Sequence, residues 1–488
     1  MTARAVRTPR PWTWAALGLA GLVLLSLLRP SSVTGLHLPL AVAVVAVGVL
    51  VVRRLWSMHP APTMCAAIAA SVFSGEWRNV GLGGLPLDRL LLAIVALQLL
   101  LGAPGVATAP RLRIRGVHTL LALTGIYVVG SAAAAGTLGQ EAGFLSLMDQ
   151  FGLVPFAMFL LAPAVFAGER ERGLLLATLV AIGAYLGSMA IFESLGPHSL
   201  VFPRYILRLD TALPGEARAG GPFQAVIAEG FTCYACAIAA VIALHLWRGP
   251  RARLVAGAVA VTCLFACVLT LERGVWIGVL LASLLTAIVT VRGRRLLIPL
   301  TATLALSGGV VLALSPSAAH LLSSRTGDRE TVWDRQNQIA AGLRMVEARP
   351  LFGFGWGRFA HEDLDYFRQA EDRPMVGYSL ASYEAVGKPL PLHETYLSIV
   401  VELGLVGALL WAATLLWGIG GSILARGPTE LIVWKRGLLG VAACFLTIAL
   451  FNPYQSAFPV LLLWIWAGVA SGASPPRQAP TTDVQDSP

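Results

Sequence analysis

Apolar residues in this chain come in long unbroken runs instead of alternating with polar ones. The runs cover 12–28, 37–51, 61–73, 87–102, 116–134, 150–167, 173–193, 226–247, 253–270, 274–291, 296–314, 394–419, 433–450 and 457–471. A helix needs about 20 such residues to cross a bilayer, so the pattern predicts an all-α polytopic integral membrane protein with about 12–14 transmembrane helices. The shortest run, 61–73, is the weakest span and fits a re-entrant segment. One long polar interval, 315–393, interrupts the series and predicts one large external loop. The chain therefore divides into helices 1–11 over 1–314, the loop over 315–393, C-terminal transmembrane helices over 394–471, and a disordered tail over 472–488.

Within the loop, Asp328–Ala348 predicts a helix with Trp333, Ile339, Leu343 and Val346 as its apolar stripe. Pro350 ends it, because the residue before a proline avoids the α region. The turn LFGFGWGRF, 351–359, follows. It is expected to lie on the membrane with Phe352, Phe354 and Trp356 as anchors, to shape a substrate site, or to do both.

Charge sets the orientation. With the N-terminus inside, Arg53, Arg54, Arg111, Arg113, Arg115, Arg170, Arg172, Arg248, Arg251, Arg253, Arg292, Arg294 and Arg295 fall in cytoplasmic connections. This follows the positive-inside rule and predicts both termini in the cytoplasm. The basic N-terminal run lacks a small-residue cleavage site and reads as a retained first helix. Composition agrees: 56% of the 488 residues are hydrophobic and 13% charged, against about 25% charged in soluble proteins. Mean hydropathy is +0.73. The net charge of +10 is largely topological, and no nucleic-acid-binding motif accompanies it. Cys65, Cys233, Cys236, Cys263, Cys267 and Cys444 all fall in apolar runs, where packing is the expected role.

Several polar groups stand out on the external side. RAGGPF, 218–223, sets Arg218 beside two glycines. LERGVW, 271–276, puts Glu272 and Arg273 in a tight hairpin between spans, where a charge is costly unless it is paired or functional. Arg325 and Arg329 share a helical face if the loop helix reaches back that far. Guanidinium groups suit phosphate oxygens. His393 and Glu394 open the apolar run at 394. A histidine beside cationic groups favours its neutral form and suits removal of a proton from a hydroxyl. Glu394 either orients it or acts as the base. Tyr396 lies one turn on. Capping, ion pairing and interface anchoring compete with each of these roles. A proton-coupled transporter would bury acids or histidines mid-span, where this chain has very few charged groups, Glu193 and Glu229 lying nearer span ends. There is also no recognisable channel filter and no clear metal-ligand set.

These pieces, in this order, resemble the O-antigen ligase and polymerase superfamily of bacterial envelope glycan transferases. The resemblance rests on RAGGPF at 218–223, ERGVW at 272–276, the Arg325-to-Trp333 spacing, ARPLFGFGWGRF at 348–359 and HETYLSIVVELGLVG at 393–407. It implies transfer of a polyprenyl-diphosphate-linked glycan to an acceptor hydroxyl at the external face of the inner membrane, without metal or cofactor. The acceptor is a lipid-linked glycan in polymerases and lipid A–core in ligases. Polysaccharide repeat polymerisation is the expectation, with ligation or, in another class, a lipid-linked glycan flippase as the alternative. By resemblance, Arg218 and Arg273 bind the diphosphate with Arg325 as a further candidate, and His393 is the base or the residue that orients the acceptor. From the residues themselves, Arg329, Trp333, Trp356 and Tyr396 are expected to line the substrate. Many members carry asparagine after the histidine, where this chain has Glu394. A single in-line displacement inverts the anomeric centre, while a double displacement needs a carboxylate nucleophile, which Glu394 keeps open.

Overall fold

The computed structural model describes residues 50–74, 76, 86–106, 114–140, 144–208, 218–289, 330–359, 365–366, 392, 394–453 and 457–472. The expected spans 12–28 and 296–314, along with Arg325, Arg329 and His393, lie outside the described residues.

Among the described residues the chain is all-helical. Its helices are α1 (Pro60–Ser71), α2 (Leu87–Leu100), α3 (Gly116–Ala134), α4 (Leu153–Val165), α5 (Glu169–Leu195), α6 (Val226–Leu246), α7 (Pro250–Leu269), α8 (Arg273–Val289), α9 (Glu330–Ala348), α10 (Thr395–Leu415), α11 (Ile432–Ile448) and α12 (Ala457–Ala470). Seven helical segments among the described residues are long and apolar enough to cross a membrane; α8 and α12 are shorter apolar helices. At 1.5 Å per residue, α1 reaches only about 18 Å, well short of a hydrocarbon core of about 30 Å. The chain is thus a multi-pass helical membrane protein.

The bundle closes through small residues. Helices α5, α6 and α7 pack against one another, α6 and α8 against α11, and α4 against α12. At Gly183 of α5 an added Cβ would lie 2.7 Å from Cys236 Cβ and 3.0 Å from Cys263 Sγ. The cysteines fill space between close helices: all six are buried and free. Small residues at such contacts let membrane helices approach closely, where dispersion replaces the absent hydrophobic drive.

Two regions depart from simple packing, and both bear on the site. The first is a break in α10. Gly404 has φ 66° and ψ −175° inside the helix, a conformation essentially confined to glycine. The broken turn is paired by the segment just after α9. The Leu405 and Val406 amides donate to the Pro350 and Leu351 carbonyls at 2.8 and 3.2 Å. In return, the Phe354 and Gly355 amides donate to the Val401 and Glu402 carbonyls at 3.0 and 2.8 Å. Tyr127 of α3 donates to the Leu403 carbonyl at 2.7 Å. Irregular backbone within a membrane helix survives only when protein satisfies its polar groups, and this turn satisfies them.

That arrangement corrects the membrane-surface picture of the 351–359 turn. Phe354 and Trp356 are each 8% exposed and Phe352 is 66% exposed, so the turn enters the protein and only Phe352 points outward. The stripe expected on α9 is also rotated. Ala341, Met345, Asn337, Gln338 and Arg344 are buried, whereas Leu343 is exposed. The face was read from hydropathy, but α9 packs on α10 with a partly polar face.

The second region is the turn at Arg218–Phe223, between α5 and α6. It is anchored by the carboxylate of Glu193, near the C-terminal end of α5.

Candidate functional site

Glu193 is buried, and its two oxygens accept the Gly220 and Gly221 amides at 3.1 and 3.0 Å. Gly221 has φ 56°, and an added Cβ there would lie 2.1 Å from Glu229 Oε2. The turn therefore needs glycine both for its dihedral and for room above a second buried carboxyl, Glu229 of α6. Tyr205 donates to the Pro222 carbonyl at 2.9 Å. Burial pushes its phenol pKa up, which keeps it a donor.

The anchored turn delivers Arg218 to the α7–α8 hairpin. The Ala219 amide donates to the Leu269 carbonyl at 3.1 Å. The Arg218 guanidinium donates to the Thr270 and Leu271 carbonyls at 3.3 and 3.2 Å and to Glu272 Oε2 at 2.8 Å. Leu271 takes φ 50°, turning the chain so that α8 starts at Arg273. Glu272 thus pairs with Arg218, and Arg273 is left exposed at the helix start.

The hairpin meets the entry to α10 through Asn452. A Cβ on Gly274 would lie 2.3 Å from Asn452 Nδ2. The Asn452 carbonyl accepts the Thr395 hydroxyl at 2.8 Å, and the Thr395 amide donates to the Ala449 carbonyl at 3.1 Å. Glu394 is the half-buried N-cap residue of α10. The Arg218–Glu272 pair and the start of α8 thus connect to Thr395, the first residue of α10, through Gly274 and Asn452.

Beyond Thr395 a cavity of about 240 Å³ opens, lined among others by Trp356, Trp411, Trp464, Ser146, Ser398 and Glu402. Leu392 and Thr395, on either side of the 393–394 pair, also line it. Trp356 is fixed from three directions. Its indole donates to Ser146 Oγ at 3.0 Å, its amide donates to Ser131 Oγ at 3.2 Å, and its carbonyl accepts the Thr137 hydroxyl at 2.6 Å. Its ring meets Phe151 edge-on at 5.2 Å. Glu402 is 8% exposed, and its Oε1 accepts the Phe359 amide at 3.3 Å.

Of the residues singled out from sequence, Arg218 pairs with Glu272 at the hairpin, Arg273 is the exposed first residue of α8, Glu394 is the N-cap residue of α10, and Trp356 lines the adjoining cavity. Tyr396 is not itself in the cavity lining: its hydroxyl donates to the Leu446 carbonyl of α11 at 2.8 Å, and its ring meets the cavity-lining Trp411 at 5.6 Å. Trp333 sits half-buried in the first turn of α9. Sequence reasoning did not single out Glu193, Glu229 or Glu402 for the site. The signal was available, because a carboxyl inside an apolar run is costly and rarely idle. Among the described residues no group of three or more His, Cys, Asp or Glu is placed to hold a metal ion.

Comparison with curated proteins finds no match. A family model described as O-antigen ligase matches residues 258–412, from within α7 to within α10, and so takes in the hairpin arginine, the 351–359 turn and Glu402.

Proposed function

We propose that this protein transfers a glycan from a polyprenyl diphosphate to an acceptor hydroxyl, extending a polysaccharide by repeat polymerisation. The family match and the multi-pass helical architecture support a function of the O-antigen ligase or polymerase kind. The observation that carries the finer reading is the Arg218–Glu272 pair at the start of α8, connected through Asn452 to Thr395 at the start of α10, beside an aromatic, hydroxyl-lined cavity.

In this reading the diphosphate lies against the hairpin. Arg273 meets it directly, and Arg218 shares its guanidinium between Glu272 and the incoming anion. Charge-assisted bonds of this kind strengthen as negative charge builds on the leaving oxygen. Arg325 adds a further cation from the loop, and Arg329 and Trp333 line the approach. His393 takes the proton of the acceptor hydroxyl while Glu394 orients it. The acceptor oxygen bonds to the anomeric carbon as the bond to the diphosphate oxygen breaks, and polyprenyl diphosphate departs with the electron pair. One displacement inverts the anomeric centre. In this reading both termini lie in the cytoplasm, as the positive-inside charge pattern suggests, and the site faces outward.

The test is reconstitution in liposomes with the native lipid-linked glycan, without nucleotide sugar, with products sized on a gel. Wild type should build a ladder of longer lipid-linked glycans, and His393→Ala should not. Glycan moved onto a separate lipid acceptor would reassign the protein as a ligase. Lipid-linked glycan crossing the bilayer with no new glycosidic bond would replace transfer by transport.

A further inference from the structure

We infer that the cavity between α10 and the 351–359 turn is a subsite for one sugar ring, with Glu402 as its principal hydroxyl acceptor. The inference rests on the glycan-transfer reading and adds which part of the substrate is held, and by which groups.

The lining has the two chemistries a pyranose presents. A sugar ring offers a flat face of C–H groups and a rim of hydroxyls. The walls supply aromatic surface from Trp356, Trp411 and Trp464, and four of the rings around the cavity are locked edge-to-face in two pairs. Phe156 meets Trp464 at 4.9 Å, and Trp356 meets Phe151 at 5.2 Å. Such locking holds an aromatic surface in place before a ligand arrives. The rim is met by Ser146, Thr395 and Ser398 and by the Glu402 carboxyl. A carboxylate has about four lone-pair positions. The Phe359 amide takes one at 3.3 Å, with the Gly357 amide beside it, so acceptor capacity is left for substrate hydroxyls.

Size narrows the ligand. The volume of about 240 Å³ lies below the roughly 300–1,000 Å³ of pockets for drug-sized molecules. It fits a single ring better than an oligosaccharide. A polyprenyl tail would require an apolar lining throughout, which four polar side chains contradict. The position is also right: Leu392 and Thr395 line the cavity on either side of the 393–394 pair, so a ring held there sits beside the segment assigned to the acceptor proton.

Glu402 has a competing structural use, since it also clamps the glycine turn. Glu402→Gln separates the two roles. Glutamine keeps the size and a carbonyl oxygen for the Phe359 amide, but exchanges an acceptor oxygen for a donor. Ser398→Phe fills the cavity from α10 one turn before Glu402 and substitutes neither partner of the Phe359–Glu402 bond.

The experiment is saturation-transfer-difference NMR on the full chain in nanodiscs, with a neutral hexose and an N-acetylhexosamine as probes. Wild type should give a signal from at least one probe, reduced about fivefold or more in both variants, with thermal melting of Glu402→Gln within a few degrees of wild type. No signal from either probe overturns the subsite, and so does a signal that survives both substitutions. Transfer is scored separately. Sugar binding in a wild type that forms no glycosidic bond keeps the subsite and removes the transfer reading. Transfer at the wild-type rate in Ser398→Phe removes the subsite and keeps transfer.

Discussion

At Gly220–Gly221 two turn amides donate to Glu193 of α5, and at Phe359 a turn amide donates to Glu402 of α10. Both turns are glycine-bearing, and both hang from a glutamate buried in a membrane helix. They differ in what else holds them and in what they present. Among the described contacts, the first turn is fastened to α5 by that one side chain, and it presents Arg218 to the hairpin. The second is also sewn into the break of α10 by four backbone bonds, and it presents Trp356 to a cavity. A buried carboxylate is thus used as an anchor in two places, once beside a cation and once beside aromatic rings and hydroxyls. The first arrangement suits a diphosphate and the second a sugar.

The largest expected effect comes from unpicking the second turn at its backbone. In Gly404→Val the new Cβ would lie 2.3 Å from the Leu351 carbonyl, at a φ of 66° that β-branched residues do not tolerate. Strain costs about 1–3 kcal/mol and overpacking about as much again. The expected result is loss of the monodisperse peak in detergent size-exclusion chromatography. A normal peak and normal melting would mean that the break in α10 is not needed for the fold.

Removing the anchors themselves should hurt the two turns unequally. Glu193→Ala leaves two buried amides without their acceptor, at about 1–3 kcal/mol each. Glu402→Ala withdraws support from a turn that keeps its four backbone bonds. Thermal melting should therefore fall further for Glu193→Ala. The reverse order would mean that α10 depends on its carboxylate more than on its backbone pairing.

Arg273→Ala should leave folding alone, because its side chain is exposed, and should act on transfer. A charge-assisted bond is worth about 1.5–3 kcal/mol, so initial rates should fall roughly 10- to 100-fold at unchanged melting temperature. A matched fall in melting temperature would make Arg273 a structural residue and weaken the charge side of the comparison.

How far the sequence could be read depended on the range of the physics involved. Spans such as Gly116–Ala134 and Val226–Leu246 are visible because the bilayer imposes its demand on each segment separately. The start of α8 at Arg273 was legible for a similar reason, since a charged hairpin between two apolar runs is a local pattern. The break at Gly404 was not. It sits in an apolar run without proline, and only pairing with residues some fifty positions earlier in the chain makes it stable. Glu272 was seen as a charge needing a partner, but that its partner is Arg218 rather than its neighbour depends on the Gly220–Gly221 turn. The face of α9 was misread because Asn337 and Gln338 are buried while Leu343, which hydropathy favours, is exposed.

Tyr396 offers the smallest effect. From sequence it belongs one turn from His393, facing substrate; in the fold its hydroxyl donates to the Leu446 carbonyl. If that bond is its main use, Tyr396→Phe removes one hydrogen bond, worth about 1 kcal/mol. The protein should melt a few degrees lower, and transfer should stay within about twofold of wild type. The ring, which meets Trp411 edge-on at 5.6 Å, is preserved, so the aromatic wall of the cavity is undisturbed. A loss of transfer above about tenfold with unchanged melting would put the hydroxyl on the substrate. The first turn of α10 would then have to rotate toward the cavity when glycan binds, and the separation between anchoring groups and ligand-facing groups would fail at the residue where it is most directly tested.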